Sequence, residues 1–416
     1  MKAQHDGADD PRNTGGNAMG TLLEGVRSVC VVLLTGLGDV VHGLPLVNAL
    51  KDHDPSLRIT WVVEPMPSGV LAPHPSVDEV IVYEKKRGWR GVVDLRRKLA
   101  GRRFDLTLNL NVYFKSLWPT VFSGAPRRLG FERGRAMDGV WLAANHHLAP
   151  APRRHTQDLF LDFLAPLGVA RPDPLEWRIP ITADEREAQS AFFGALDGRP
   201  PVAIVPATAN AKKDWMPDRW AQVVDALEHD FGYRAVLVGG PGERETRTAR
   251  EITELASAKP AWGMGDGIRR LLWMLEGSRM VVAPDTGPVH IARAFGVPVV
   301  GLYGHTNPWR VGPYRAFQDL WIDTYTEPGE APDASRFDSK LGRMEMITVR
   351  DVLDRVELAR VRYLAGAAHG SASGGSASPR TASRAHDARL DGSASPESAS
   401  TSDPVDGGPG EEKAGR

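Results

Sequence analysis

The stretch Met280-Val281-Val282-Ala283-Pro284-Asp285-Thr286-Gly287-Pro288-Val289-His290, continued by Ile291-Ala292-Arg293-Ala294-Phe295-Gly296, decides the fold. A short apolar run stops at Pro284. A carboxylate, a hydroxyl and a glycine follow, and then a helix-like pattern begins. This predicts a strand, a tight loop and a helix start. Thr286 and Gly287 would set backbone N–H groups at a helix N-terminus, where unpaired donors and the helix dipole attract an anion. Pro288 suits a first helical turn, which does not need its missing N–H. A second strand, Val297 to Leu302, empties into Tyr303-Gly304-His305-Thr306-Asn307-Pro308. Two neighbouring strand ends that both spill polar residues predict a pocket at the carboxyl edge of a parallel sheet. An ordinary βαβ connection with a capped helix accounts for the same residues, since such caps are common.

The same alternation runs outward along the chain. Val29 to Leu34 reads as a buried strand, followed by the turn Thr35-Gly36-Leu37-Gly38-Asp39 and a helix over Val40 to Asp52. Strands are predicted at Thr60 to Glu64, Val80 to Tyr83 and Leu106 to Leu110, the last emptying into Asn111-Val112-Tyr113-Phe114-Lys115-Ser116. After the Pro-rich Pro172 to Pro180 the pattern restarts. Val202 to Val205 and Ala235 to Val238 are strands, and helices fall at Trp220 to Phe231, Glu245 to Ser257 and near Ile268 to Leu275. Strands alternating with helices mean parallel sheets covered on both faces, so the fold class is α/β with two doubly wound, Rossmann-like domains facing a central cleft. Residues 1–28 are expected to be a disordered extension, 29–171 the first domain and 172–182 the linker. Residues 183–364 form the second domain, closed by an amphipathic helix at Val349 to Leu364. Residues 365–416, rich in Ser, Ala, Gly and Pro, are expected to be a disordered tail that cannot bury enough apolar area to order itself.

A chain of 416 residues with 42% hydrophobic and 25% charged residues is globular in composition and long enough for two real cores. The single cysteine, Cys30, excludes an internal disulfide, fits a reducing compartment and reads as core. No apolar stretch reaches the ~20 residues of a spanning helix. The polar segment Met1 to Thr21 lacks the apolar centre of a secretory signal. The twelve histidines show no metal-ligand spacing, and no metal or cofactor is expected.

Asp39 stands where the first strand meets its helix. It reads either as an N-cap or as a general base projecting into the cleft. Gly36 and Gly38 lack the third glycine of a dinucleotide fingerprint, since Val41 occupies that position, which argues against a nicotinamide dehydrogenase. Lys213 follows a strand end; it is either a solvated surface lysine or a compact positive charge suited to a diphosphate. Lys115 carries the same two readings. Between Lys85 and Arg103 nine Lys and Arg residues, Arg87 and Arg90 among them, stand against Asp94 alone. Such a face suits an anionic membrane surface or an acidic glycolipid, although a solvated helix face explains part of it. Aromatic interleaving is thin, which ranks nucleic acid last.

With these residues in hand the chain resembles glycosyltransferase family 9, the ADP-heptose:lipopolysaccharide heptosyltransferases, from about Val29 to Leu364. Gly38-Asp39-Val40-Val41-His42-Gly43-Leu44-Pro45 is similar to the family's first-loop motif, and Lys115-Ser116 to its fourth-strand loop. Lys213-Asp214-Trp215 resembles its Lys-x-Trp, and Asp285 to His290 with Tyr303 to Pro308 its signature. The resemblance implies a GT-B architecture with the acceptor on the first domain and the nucleotide-sugar on the second. It also implies metal-independent inversion at the anomeric carbon. On it Asp39 is the base; Lys213, Thr286 and Gly287 hold the diphosphate, with Thr208 nearby. Asp285 and His290 approach the donor sugar, backbone near Met264 meets the nucleotide base, and Glu243 the ribose. Lys115, Arg87, Arg90 and His42 fall to the acceptor. The implied partners are ADP-heptose and an acidic glycolipid at the cytoplasmic membrane surface. Two other functions fit the same scaffold: transfer from another nucleotide-sugar or to another acceptor, and non-catalytic binding of a nucleotide or glycolipid.

Overall fold

Apolar runs with no polar residue between them, such as Val29–Val32 and Met280–Ala283, must be covered on both faces, and they form the centres of two parallel sheets. The structure, a computed structural model, describes residues 21–265 and 267–365. The first half runs β1 (Ser28–Val32), α1 (Leu37–His53), β2 (Arg58–Val63), α2 (Pro65–Leu71), β3 (Glu79–Val82), α3 (Trp89–Leu99), β4 (Leu106–Asn109), α4 (Leu117–Phe122), β5 (Arg127–Gly130), β6 (His146–His147) and α5 (Thr156–Leu161). The second runs α6 (Ala183–Gly194), β7 (Pro201–Ile204), α7 (Pro217–His229), β8 (Arg234–Gly239), α8 (Glu243–Leu255), β9 (Ala261–Met264), α9 (Ile268–Glu276), β10 (Met280–Pro284), α10 (Gly287–Ala294), β11 (Val299–Tyr303), α11 (Pro308–Val311), β12 (Trp321–Asp323) and α12 (Val349–Ala359).

The first sheet has the order β3-β2-β1-β4-β5-β6 and the second β12-β11-β10-β7-β8-β9. All pairings are parallel; Cys30 of β1, for example, lies level with Thr60 of β2 and Thr107 of β4. In each sheet the winding reverses once, between β1 and β4 and between β7 and β10. Beyond the carboxyl ends of such strand pairs the following loops part and leave a crevice. The two crevices face each other because α1 packs on α10 and α2 on α9. Gly69 of α2 leaves its Cβ position to Ile268 of α9, so the two helices touch closely.

Between the halves, residues 171–182 carry no helix or strand. Thr182 then starts α6 with a capping box, its hydroxyl accepting from the Glu185 N–H while the Glu185 carboxylate accepts from the Thr182 N–H. Residues 21–27, expected within the disordered extension, are instead packed. Leu23 and Val26 are buried, the Leu22 N–H donates to Pro166 O, and the Arg127 guanidinium donates to Leu22 O and Glu24 O. Two apolar side chains suffice to anchor the segment. The rest of that extension, and the tail beyond residue 365, lie outside the described residues. The closing helix covers the expected residues, α12 passing directly into a π-helical turn at Arg360–Leu364.

The position of α1 is set by a tight fit to β2. Trp61 is fully buried and its indole N–H donates to Leu33 O at 3.1 Å. The far edge of its ring stands 2.7 Å from where a Cβ on Gly43 would be. Gly43→Ala should therefore overpack this contact and lower unfolding free energy by about 1–3 kcal/mol, despite the better helix propensity of Ala. In a Trp61→Phe background, which removes the offending ring edge, the same substitution should cost measurably less. Denaturant melts of the four proteins in the cycle check this; an equal cost in both backgrounds would mean that the strain lies elsewhere.

Candidate active site

The crevice beyond β1 and β4 meets the crevice beyond β7 and β10 in a cavity of ≈ 710 Å³. A second cavity of ≈ 150 Å³ opens on the side of the first half. Asp39, Thr156 and Arg310 line both.

Asp39 reaches this junction because the turn after β1 is built on Gly36. That residue, not Asp39, is the N-cap of α1; its φ of 86° favours glycine, and a side chain there would strike the Asp39 carboxylate. Asp39 is the third residue of the helix, and its carboxylate has no hydrogen-bond partner among the described residues. Burial pushes its pKa up to about 6, against the downward pull of Lys115, Arg310 and Lys213 and with an upward push from Asp285. A carboxylate so placed titrates near neutrality, as a general base should.

Lys213, Asp285, Thr286, Gly287 and His290 line the larger cavity together, as does Thr208. Lys213 lies in a short 3₁₀ turn after β7 and pairs with Asp285 at 2.6 Å. The Thr306 hydroxyl donates to the same carboxylate oxygen of Asp285 at 2.8 Å. The rest of the Lys213-Asp214-Trp215 motif holds the loop. Asp214 accepts from the Thr208 N–H at 2.7 Å and pairs with Arg244. Trp215 is buried, donates to Ile347 O and stacks edge-on against Trp220. Thr286 is the N-cap of α10 but makes no side-chain cap; Pro288 has no N–H and the Val289 N–H donates to Thr286 O, so Gly287, which lines the cavity with Thr286, supplies the remaining N–H of that first turn.

His42 also lines the larger cavity, rather than the smaller one beside Lys115. Its ring lies 4.4 Å from that of His290 and 5.5 Å from that of His155. His42 Nδ1 donates to Gln157 Oε1, since the Gln157 amide NH₂ donates back to His42 O. His42 Nε2 and His290 Nδ1 are buried without a partner. Burial lowers the pKa of His42 to about 3 and of His155 to about 4, and pushes His290 well down as well. All three are neutral imidazoles at physiological pH.

Other sequence-selected residues separate. Lys115 lines the smaller cavity, and burial pushes its pKa down. Arg87 and Arg90 line neither cavity; they sit on an exposed basic surface with Trp89, which is 72% exposed. Met264 is buried behind Gly239, and Gly265 and Gly267 reach the cavity beside it. Glu243 faces a separate surface depression with Thr246 and Arg247. Glu245 lines the main cavity instead, its carboxylate lying against Gly240, with burial pushing its pKa up. At 3.6 residues per turn the two side chains diverge by about 200° around α8, so only one can face the cleft. Arg310, in α11, was missed altogether; the run Asn307-Pro308-Trp309-Arg310 gives the cap of a short helix but not its direction. Among the described residues no His, Cys, Asp or Glu side chains group as metal ligands would, and no helix is long and apolar enough to cross a membrane.

Residues 92–331 match the family model described as glycosyltransferase family 9 (heptosyltransferase). The lipopolysaccharide core heptosyltransferase OpsX of Haemophilus influenzae is 30% identical over 305 residues, covering 73% of this chain and 86% of that protein. A family 9 glycosyl transferase from Veillonella parvula superposes with a TM-score of 0.69 at 23% identity, over 80% of this chain and 97% of that one. The Escherichia coli heptosyltransferase WaaC, solved with ADP, gives 0.63 at 21% identity, over 80% and 99%. Two doubly wound sheets meeting at their switch points thus have the GT-B architecture, and the protein is a glycosyltransferase. It belongs to glycosyltransferase family 9, the heptosyltransferases.

The burial of Asp39 has a consequence for stability. Its folded pKa of about 6 lies above the ordinary 3.8, so the unfolded chain releases this proton first as pH rises. The carboxylate therefore costs stability progressively between about pH 4 and 6, and the penalty is constant above that window. Asp39→Asn does not titrate. Relative to wild type it should gain about 1–3 kcal/mol at pH 8 and nothing near pH 4. Melting curves of both proteins across this range check the sign; a variant less stable than wild type at pH 8 would show that the carboxylate is held by a favourable contact.

Proposed function

We propose that the protein transfers heptose from ADP-heptose to a sugar hydroxyl of the lipopolysaccharide core, with inversion at the anomeric carbon. The observation that carries this reading is the Asp39 carboxylate, without a hydrogen-bond partner among the described residues, at the junction of a large and a small cavity. In the proposed step Asp39 takes the proton of the acceptor hydroxyl while that oxygen bonds to the anomeric carbon from the face opposite the diphosphate. The bond from that carbon to the diphosphate oxygen breaks, and its electron pair leaves with ADP. Charge grows on the leaving diphosphate, so cationic and N–H donors there lower the barrier.

Lys213 and the N–H groups of Thr286 and Gly287 are proposed to hold the diphosphate, Lys213 sharing itself with Asp285. Thr208 flanks them. Asp285 and His290 take the heptose hydroxyls, and His42 joins them on the donor side through its unpartnered Nε2. The nucleotide base is assigned to the wall of Gly265, Gly267, Ile268 and Leu271, and the ribose to Glu245 in place of Glu243. Lys115 serves the acceptor. A peripheral position at the cytoplasmic membrane face is supported by the exposed Phe114, Trp118 and Val121 beside the basic surface of α3, since aromatic and cationic side chains suit the headgroup zone. Arg87 and Arg90 belong to that surface on this reading.

The test is release of ADP on mixing the protein with ADP-heptose and a heptose-deficient lipopolysaccharide acceptor. Asp39→Asn should lower kcat by roughly 10²–10⁴-fold while ADP-heptose affinity stays within a few-fold. Lys213→Ala should weaken donor binding and slow turnover together. Turnover only with a different nucleotide-sugar would overturn the donor assignment. Tight ADP binding with no turnover of any donor would leave a binding protein.

A further inference from the structure

The smaller cavity carries a charge pattern that the transfer step does not use. Arg135 on its wall is spent: it pairs with Glu132 and Asp162 and donates to Ala149 O. Arg153 and Arg310 are different. Neither forms an ion pair with a carboxylate among the described residues, and Arg310 Nε is buried with no partner at all. Both guanidinium groups lie over the ring of Phe337, each central carbon 4.3 Å from its centroid, so the two like charges are separated by no more than twice that distance. Burial alone pushes the Arg310 pKa down, a sign that its charge is poorly solvated. An aromatic face offsets part of the cost of one desolvated cation; two cations on one ring also repel each other. Such a pair is completed by an anion whose oxygens accept from both planar forks. Arg153 belongs to the first half of the chain and Arg310 to the second, at the junction with the larger cavity.

We propose that Arg153 and Arg310, stacked on Phe337, form a cross-domain clamp for an acidic group of the acceptor, a sugar carboxylate or a phosphate, beside the hydroxyl that Asp39 deprotonates. The inference rests on the functional reading above and adds the residues of this chain that meet the acid group of the acceptor. Because the two halves each supply one guanidinium, acceptor binding holds the cleft together around the bound donor. Lys115 lines the same cavity, balanced in part by the nearby Glu64 carboxylate.

The experiment measures acceptor and donor kinetics for wild type, Arg153→Gln, Arg310→Gln, the double variant and Arg310→Lys, with melting curves to exclude misfolding. Each single Gln variant should raise the acceptor KM by about tenfold or more with the ADP-heptose KM within about threefold, as loss of a charge-assisted contact to one substrate requires. The double variant should be little worse than the singles, because both arginines grip one group. Arg310→Lys should recover part of the loss. Parallel assays with carboxyl-reduced and with dephosphorylated acceptor separate the two sources. Removing the group that is held should weaken wild type and leave the double variant unchanged, and if neither removal does so the clamp is refuted. The acid limb of kcat/KM adds a readout that mere structural damage would not move. Asp39 faces Lys115, Lys213, Arg310 and Asp285, so losing Arg310 should shift that limb to higher pH. Unchanged acceptor KM in the variants, or a donor KM that rises as much as the acceptor KM, would overturn the proposal and in the second case assign Arg310 to the diphosphate. Failure of the functional reading looks different: wild type itself would not transfer heptose to the untreated acceptor.

Discussion

At the N-terminus of α1, Gly38 leaves its Cβ position to the imidazole of His290, and at the N-terminus of α10, Gly287 leaves its own to Leu37, whose side chain stands 2.8 Å from it. Two helix ends from different sheets therefore approach as closely as backbone allows. The rest of the site depends on this approach. It brings the Thr286-Gly287 start of α10 and the carboxylate of Asp39 into one cavity, and it removes enough water from Asp39 to raise its pKa to about 6. A residue with a larger side chain at either glycine would separate the helices and re-solvate the carboxylate. The same desolvation that makes the group basic near neutrality also makes it costly to fold, a familiar conflict at sites built for chemistry.

The contact between the halves is held by groups that stay neutral or are fully paired. His42, His155 and His290 stack across it as uncharged rings, and His155 Nε2 donates to Gly312 O at 2.9 Å. Tyr314 stacks on His155 and donates to Asp158 at 2.8 Å. Arg269 of α9 is paired with Glu185 and donates to Pro180 O. Arg293 is the buried exception: it donates to Tyr314 O and lies over the Trp177 ring, and burial drives its pKa down to about 10. An unpaired charge is tolerated only where it has an aromatic face and a carbonyl, or where a ligand anion completes it. The difference between Arg293, which has a carbonyl for its guanidinium, and Arg310, which has none among the described residues, sets the proposed clamp apart from the packed interface.

Strands made of consecutive apolar residues were legible from sequence because double-sided burial leaves no other composition possible: β1, β2, β4, β7, β8, β10 and β11 are read within a residue or two at each end. The strands that escaped are β5, β6, β9 and β12. They have four, two, four and three residues, and they contain, in that order, Arg127 and Arg128, a His pair, Trp262 and Gly263, and Trp321 with Asp323. β6, β9 and β12 are edge strands and β5 lies between β4 and β6; strands this short are held by the neighbours they pair with, not by their own pattern. Asp39 and the Asp285-to-His290 run were legible as polar residues at strand ends, because each follows closely on an apolar run; that they line one cavity was not. The ambiguity at Asp39 between cap and base was not resolvable from the chain, since both need a carboxylate at a helix start; the structure makes Gly36 the N-cap, which removes the capping reading and leaves the base as the proposed role.

The sequence by itself determined the two doubly wound halves, the strand ends at which polar residues gather, and the family, because all three depend on residues close together in the chain. Only the tertiary structure decided which side chains share a cavity. His42 joins His290 rather than Lys115, and Glu245 faces the cleft while Glu243 faces away. Arg87 and Arg90 remain outside, and Arg310 meets Arg153 over Phe337 from residues distant in sequence. The physical reason is that a helix turns its side chains by ~100° per residue and a domain contact is fixed by packing of whole helices, so direction and distance across the cleft are properties of the assembled core. Desolvation, which sets the basicity of Asp39, likewise exists only once the two halves have closed around it.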